Sequence, residues 1–222
     1  MNDWADTAEQ QLLDQALKLA PAEGWTERMG RLAGKACGFS AGETELLIPH
    51  GPADLAALLW RRHDRRALEI LADVDPGALK IRERIRAACE ARIDACAQDE
   101  AAARRCAGWL SLPQNLPLAG RLAWESADGL WRWAGDVATD ENHYSKRALL
   151  AGILTGAGAV RMTSGRGAAM RFVDRRIADV MAFEKWKATG GFRPGDWLAG
   201  LAKKAGEARY PTHPTGPPDS GA

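Results

Sequence analysis

The chain has 222 residues, with 30 Lys or Arg against 29 Asp or Glu, nine Trp and four Cys. That length suffices for one good-sized core or two small ones, and a net charge of +1 gives the whole molecule little attraction for polyanions. Cys37, Cys89, Cys96 and Cys106 form no CxxC motif; they read as reduced core thiols, not as disulfides or a zinc site. The opening MNDWADTAEQ is acidic and has no apolar stretch, so neither a secretory signal nor an Arg-rich transit peptide is expected, and a bacterial cytoplasmic protein fits best.

Nearly every periodic segment repeats at about 3.6 residues, and no strand is expected. Thr7 and Gln10 make a capping box for a first helix with Leu12, Leu13, Ala16 and Leu17 on one face, closed by Pro21 and Gly24. A second helix starts near Thr26, turns Met29, Leu32, Ala33 and Ala36 inward, and ends at Gly38. Ser40 and Glu43 cap a short third helix to about Leu47, and Pro49, Gly51 and Pro52 then break the chain. Two short helices about a tight Gly turn resemble a helix-turn-helix. Yet Ser40 to Pro49 holds two Glu and no Lys or Arg, and residues 1–55 carry four basic against nine acidic groups, a net of −5 that leaves +6 for the remainder. A groove-reading helix normally meets phosphates with cations, so this sign argues against nucleic acid as a partner.

A long helix is expected from Ala53 to about Ala72; its run Arg61-Arg62-His63-Asp64-Arg65-Arg66 reads as a solvated face. Residues 77–97 place Ile81, Ile85, Cys89, Ile93 and Cys96 on one stripe, with Arg82, Arg84, Arg86 and Arg92 elsewhere, and 99–110 form a shorter helix. From Pro117 to Ala134 the charges Arg121, Glu125, Asp128 and Arg132 fall in an arc of roughly 60°, so that helix is covered on most sides. Gly135 suits the C′ position, Asp136 to Asn142 form a corner, and Asp140 suits an N-cap. The next helix opens with His143, Tyr144, Lys146 and Arg147 and is uncharged from Ala148 to Val160, which predicts a buried core helix too short to span a bilayer. Its Gly152 and Gly156 form a GxxxG spacing, which reads as close helix–helix approach. A last long helix, about Ala168 to Lys187, turns Met170, Val173, Ile177, Val180 and Met181 inward, for about nine helices in all.

The pieces LPQNLPLAGRL, DGLWRWAGDVATDENHYSKRALLAGI and FVDRRIADVMAFEK resemble the ubiquinone-biosynthesis lipid-binding accessory proteins of mitochondria and alphaproteobacteria, over roughly Leu12 to Lys187. The AGD-x-x-x-D-x-N-x-Y-x-x-R run is the most specific part. The resemblance implies an all-α, TetR-regulator-like fold in four parts: a helix-turn-helix-like segment (1–52), a helical lipid-binding and dimerisation domain (53–188), a linker with an amphipathic helix (189–208) and a disordered tail (209–222). It also implies a homodimer that binds an isoprenoid or quinone precursor and presents it to demethoxyubiquinone hydroxylase. By motif position, Asp136, Asp140, Asn142, His143, Tyr144 and Arg147 match the family's patch for that partner. The family usually has Trp where His143 stands here. Residues 154–167 also lack the aromatic and acidic residues usual there.

Read from the residues alone, the corner serves equally as helix caps and solvated charges. The segment from Trp197 to Glu207 is either a loosely docked helix or one lying at a membrane surface on the inner face of the cell membrane. No catalytic residue, metal or cofactor is expected, because no P-loop, nucleophile elbow, dinucleotide fingerprint or His-Glu metal motif occurs. The apolar faces of Leu118, Leu122, Trp131, Leu150, Ile153 and Leu154 read from the residues alone as a filled core somewhat better than as a pocket; with the resemblance they become the lipid-pocket candidates. The alternative is a TetR-type ligand-responsive transcriptional repressor.

Overall fold

The computed structural model describes residues 3–136 and 141–188. The chain divides into two units, Met1–Ile177 and Ala178–Ala222. In the first, α1 (Asp3–Glu23) starts a turn earlier than expected, so Thr7 lies inside it, while Leu12, Leu13 and Ala16 are fully buried as the 3.6 period requires. α2 (Glu27–Ala36) is capped by the Thr26 hydroxyl, which accepts from the Met29 amide at 3.2 Å. Its inward face is Met29, Gly30, Ala33 and Gly34; Leu32 is half-buried and Ala36 exposed. α3 (Ala41–Leu47) carries the expected capping box: the Glu43 amide donates to Ser40 Oγ at 3.2 Å and the Ser40 amide to Glu43 Oε2 at 2.8 Å.

Four further helices complete the body below the last one: α4 (Pro52–Ile70), α5 (Ile81–Ala95), α6 (Glu100–Leu110) and α7 (Leu116–Trp133), with Gly135 leaving α7 at φ 85°. α8 (Glu141–Ala188) is interrupted at Gly165, so its halves count as two of nine helices among the described residues, which contain no strand. The all-α class expected from the sequence is the one observed, and the helix order is consistent with a TetR-like fold.

Two cores hold the first unit together. One joins α1–α3 and the start of α4 to Ala102, Cys106 and Leu110 of α6 and Leu122 of α7, so the helix-turn-helix-like part shares its interior with the helices that follow it. The other joins the end of α4 and α5 to Leu130 and Trp131 of α7 and to Leu150, Ala157, Ala169 and Val173 of α8. The thiols are free; burial alone pushes Cys89 up to about 12, and Cys106 also rises.

The uncharged run of α8 differs from expectation. Leu150, Ile153, Leu154 and Ala157 are buried, but Ala148, Leu149, Gly152, Thr155 and Ala159 are exposed, because this helix covers the body from one side only. The GxxxG pair divides the same way. A Cβ at Gly156 would stand 2.6 Å from Phe172 Cζ, so close approach occurs there, between the two halves of α8; at Gly152 nothing lies within 4 Å. In the second unit Phe183 and Trp186 pair their rings at 5.8 Å, and Met181, expected inward, is 47% exposed.

Gly165 makes the reversal possible. Its φ of 81° and ψ of 174° fall in a region essentially reserved for glycine. Gly165→Ala is expected to lower unfolding free energy by about 1–3 kcal/mol, whereas Gly152→Ala, exposed and helical, is expected to raise it by up to about 1 kcal/mol. Urea denaturation followed by circular dichroism checks both.

Candidate functional site

A cavity of about 470 Å³ opens in the first unit between α4, α5, α6, α7 and α8. Leu59, Cys106, Leu110, Ala123, Leu154 and Met162 supply apolar wall from each side. Leu116, Gly120, Thr155 and Ala159 line it too and are exposed, which puts the mouth between the start of α7 and the middle of α8. Small residues on both helices keep that mouth open.

Polar groups are concentrated on one wall, supplied by α4, α5 and α7. Asp64 is its centre. Its carboxylate accepts from Arg92 Nε at 2.6 Å and from Ser126 Oγ at 2.7 Å, and Ser126 Oγ accepts from Trp60 Nε1 at 2.6 Å. The Arg92 guanidinium also lies 5.1 Å from the Trp60 ring centroid. Beside this group His63, 4% exposed, pairs its Nε2 with Asp99 Oδ2 at 3.1 Å, and Arg66 pairs with the same carboxylate. Trp60, His63, Arg92 and Ser126 all line the cavity.

The charge run 61–66 is therefore not simply a solvated face. Arg61 reaches Glu125 of α7 at 3.1 Å, Arg62 reaches Asp14 of α1 at 2.7 Å, and His63, Asp64 and Arg66 face inward partners. The sequence does carry the signal: Leu55, Leu59, His63 and Ala67 recur at i+4, which places His63 on the apolar stripe. Ser126 likewise follows Leu122 and precedes Leu130, and Arg92 follows Ala88.

Of the six pocket candidates only Leu154 lines this cavity. Leu122 is fully buried and Leu118 half-buried against the first core, while Trp131, Leu150 and Ile153 belong to the second. Apolar periodicity finds faces that are covered, and these faces are covered by protein.

The corner also separates into two kinds of residue. Arg147 is 2% exposed: Nε donates to Asp128 Oδ1 at 2.6 Å and Nη1 to Asp136 Oδ2 at 3.1 Å and to the His143 carbonyl at 3.2 Å. Asp136 is closed by Lys146 Nζ at 2.8 Å as well. These two clamp α7 to α8 and present little to a partner. Tyr144, by contrast, is 66% exposed, stacked on Trp124 at 6.1 Å, with the His143 ring edge-on at 5.2 Å. Asp140 and the Asn142 side chain lie outside the described residues. At the other end of the unit α3 exposes Glu43, Glu45 and Leu46, and no cation.

Comparison with known proteins agrees with this layout. Residues 116–184 match the family model described as COQ9. That segment is similar to the COQ9 family. The chain is 29% identical over 181 residues to "Ubiquinone biosynthesis protein COQ9, mitochondrial" of Rattus norvegicus, covering 77% of this chain and 57% of that protein. The Bos taurus and Homo sapiens proteins of the same name are 28% and 27% identical, each over 77% of this chain and 56% of their own length. The chain thus spans little more than half the length of these relatives. The COQ9-family segment supplies α7 and most of α8, hence the mouth of the cavity, Ser126 and the Trp124–Tyr144 pair; Trp60, His63, Asp64 and Arg92 lie before it.

Burial, only partly offset by the bond to Asp99, lowers the pKa of His63 below its ordinary 6.5. The folded chain therefore holds His63 neutral, and the unfolded chain takes up its proton first. The resulting stability is present above pH 6.5 and declines as pH falls toward the folded pKa. The hydrogen bond from His63 and the Arg66 contact hold the Asp99 carboxyl below its usual range, which adds a second loss at lower pH. Urea midpoints are expected to drop between pH 7.5 and 5, and His63→Gln is expected to flatten that first limb.

Proposed function

We propose that the chain is a non-catalytic, lipid-binding accessory protein of ubiquinone biosynthesis, which shelters an isoprenoid or quinone precursor and hands it to demethoxyubiquinone hydroxylase. The observation that carries this reading is the apolar cavity, whose mouth is built by the COQ9-family segment and whose size falls within the ~300–1,000 Å³ typical of ligand sites. The name of the relatives supplies the pathway. A polyprenyl tail is costly to expose, at about 0.8 kcal/mol per CH₂, so a carrier that encloses part of it gains affinity without any ion pair. A homodimer belongs to the same proposal, on the resemblance given above. Among the described residues no helix is long and apolar enough to cross a membrane; the membrane-contacting segment expected at 189–208 lies outside the described residues. The repressor alternative finds no support in α3, whose exposed acidic groups would face the phosphates.

Organic extraction of the freshly purified chain, followed by mass spectrometry, is expected to release an isoprenoid lipid. Ala159→Trp, at the exposed mouth, is expected to cut the recovered amount several-fold with an unchanged melting temperature. A lipid-free extract from the unsubstituted chain would defeat the proposal.

Tyr144 is the exposed ring of the corner and is the docking residue for the hydroxylase in this reading. Tyr144→Ala is expected to weaken binding to purified hydroxylase about ten-fold, a loss typical of an aromatic hot spot, while stability changes little. Equal affinity in calorimetry would remove the corner from the mechanism.

A further inference from the structure

Arg92 is an unexpected neighbour for an apolar cavity. Its side chain is 10% exposed. Three of the groups around it, Trp60, Cys96 and Ser126, line the same space, so the guanidinium forms part of the wall. A guanidinium has five N–H donors. Nε is taken by Asp64 at 2.6 Å, and Nη1 meets only the Cys96 sulfur, a weak acceptor, at 3.8 Å. Among the described residues no acceptor is recorded for Nη2. Asp64 cannot swing to serve it, because Ser126 holds the same carboxylate and Trp60 holds Ser126.

The wall is also balanced in charge. Arg92 faces Asp64, Arg66 faces Asp99, and His63 is held neutral by burial. An anionic head group would add a charge with no partner in an apolar setting, which is strongly unfavourable. A plain hydrocarbon would leave the donors of Arg92 unpaired. An uncharged oxygen acceptor satisfies the donors and preserves the balance.

We infer that Arg92 anchors the ligand, and that the cavity selects an amphiphile whose inner end is an uncharged oxygen acceptor. This rests on the lipid-carrier reading and narrows it. One hydrogen bond to a fixed cation orients the head without the grip of a buried ion pair, which suits a ligand that must leave again.

Three probes with tails of about ten carbons test it, each delivered from cyclodextrin to the full chain and followed by calorimetry: a decyl-substituted benzoquinone, decylbenzene and decanoate. The quinone is expected to bind about ten-fold more tightly than either other probe, the margin set by one hydrogen bond to a charged donor. Arg92→Lys, which keeps the charge and removes the fork, is expected to cost the quinone most of that margin and leave decylbenzene within about two-fold. Decanoate as the tightest probe overturns the uncharged head. Decylbenzene equal to the quinone, or an Arg92→Lys protein that binds the quinone unchanged, overturns the anchor and leaves the lipid site standing. No binding by any probe, with a lipid-free extract, removes the lipid site and the anchor together. Should Arg92→Lys fail to fold, the ranking on the unsubstituted chain decides.

Discussion

The Asp64 carboxylate is the constraint on which the body of the molecule turns. It gathers Arg92 of α5 and Ser126 of α7 onto α4, and Ser126 in turn holds Trp60. Three helices are thereby set at fixed separations by groups that must be satisfied. A buried charge deprived of its partner costs about 3–5 kcal/mol, so these helices cannot slide to close the space beside them. Apolar side chains alone would permit such a collapse, since hydrophobic contact has no direction. The cavity persists because closing it would part the charges of its polar wall.

A second clamp works the same way at the far end. Arg147, with Asp128 and Asp136, fastens α8 to α7, and Trp131 Nε1 donates to the Lys146 carbonyl at 3.0 Å. Farther along, Arg166 ties the Gly165 reversal to Asp94 at 2.6 Å and Glu90 at 2.7 Å on α5. Between these two fastenings α8 meets the body through one face only. Its other face, free of charge from Ala148 to Val160, is left outward, and the cavity mouth lies along the same stretch at Thr155 and Ala159. The helix that shapes the entrance is thus also the one with an unpartnered apolar side.

How much of this could be read from the residues follows from the kind of information each carries. Caps are local: Thr26 and Ser40 with Glu43 act within three residues of themselves, and both were legible. Helix bounds were legible to within a few residues, because Pro and Gly punctuate them. Periodicity identified which faces are covered but not by what. It therefore led to Leu122, Trp131 and Leu150, which protein covers, and passed over the small residues Gly120, Ala123 and Gly158 that make the space. Charge was the least legible property. The 61–66 run was read as surface from its residue types and Arg147 was placed in the partner patch by motif position, yet Arg147 sits at the spacing of Leu150 and Leu154, and His63 at that of Leu59 and Ala67. Type and spacing disagreed there, and spacing decided.

That disagreement also bears on occupancy. Unfilled apolar volume destabilises a fold by about 24 cal/mol per Å³. That coefficient holds for enclosed volume, and this cavity of about 470 Å³ is open at its mouth, so only a part of such a cost applies. Water entering at the mouth offsets part of this, but it gains little from walls such as Leu59, Ala123 and Leu154. Under the carrier reading proposed above, an apolar guest would fill a space that buried Arg–Asp pairs hold open. On the same proposal Gly120, Thr155 and Ala159 leave the passage that larger side chains would pack shut.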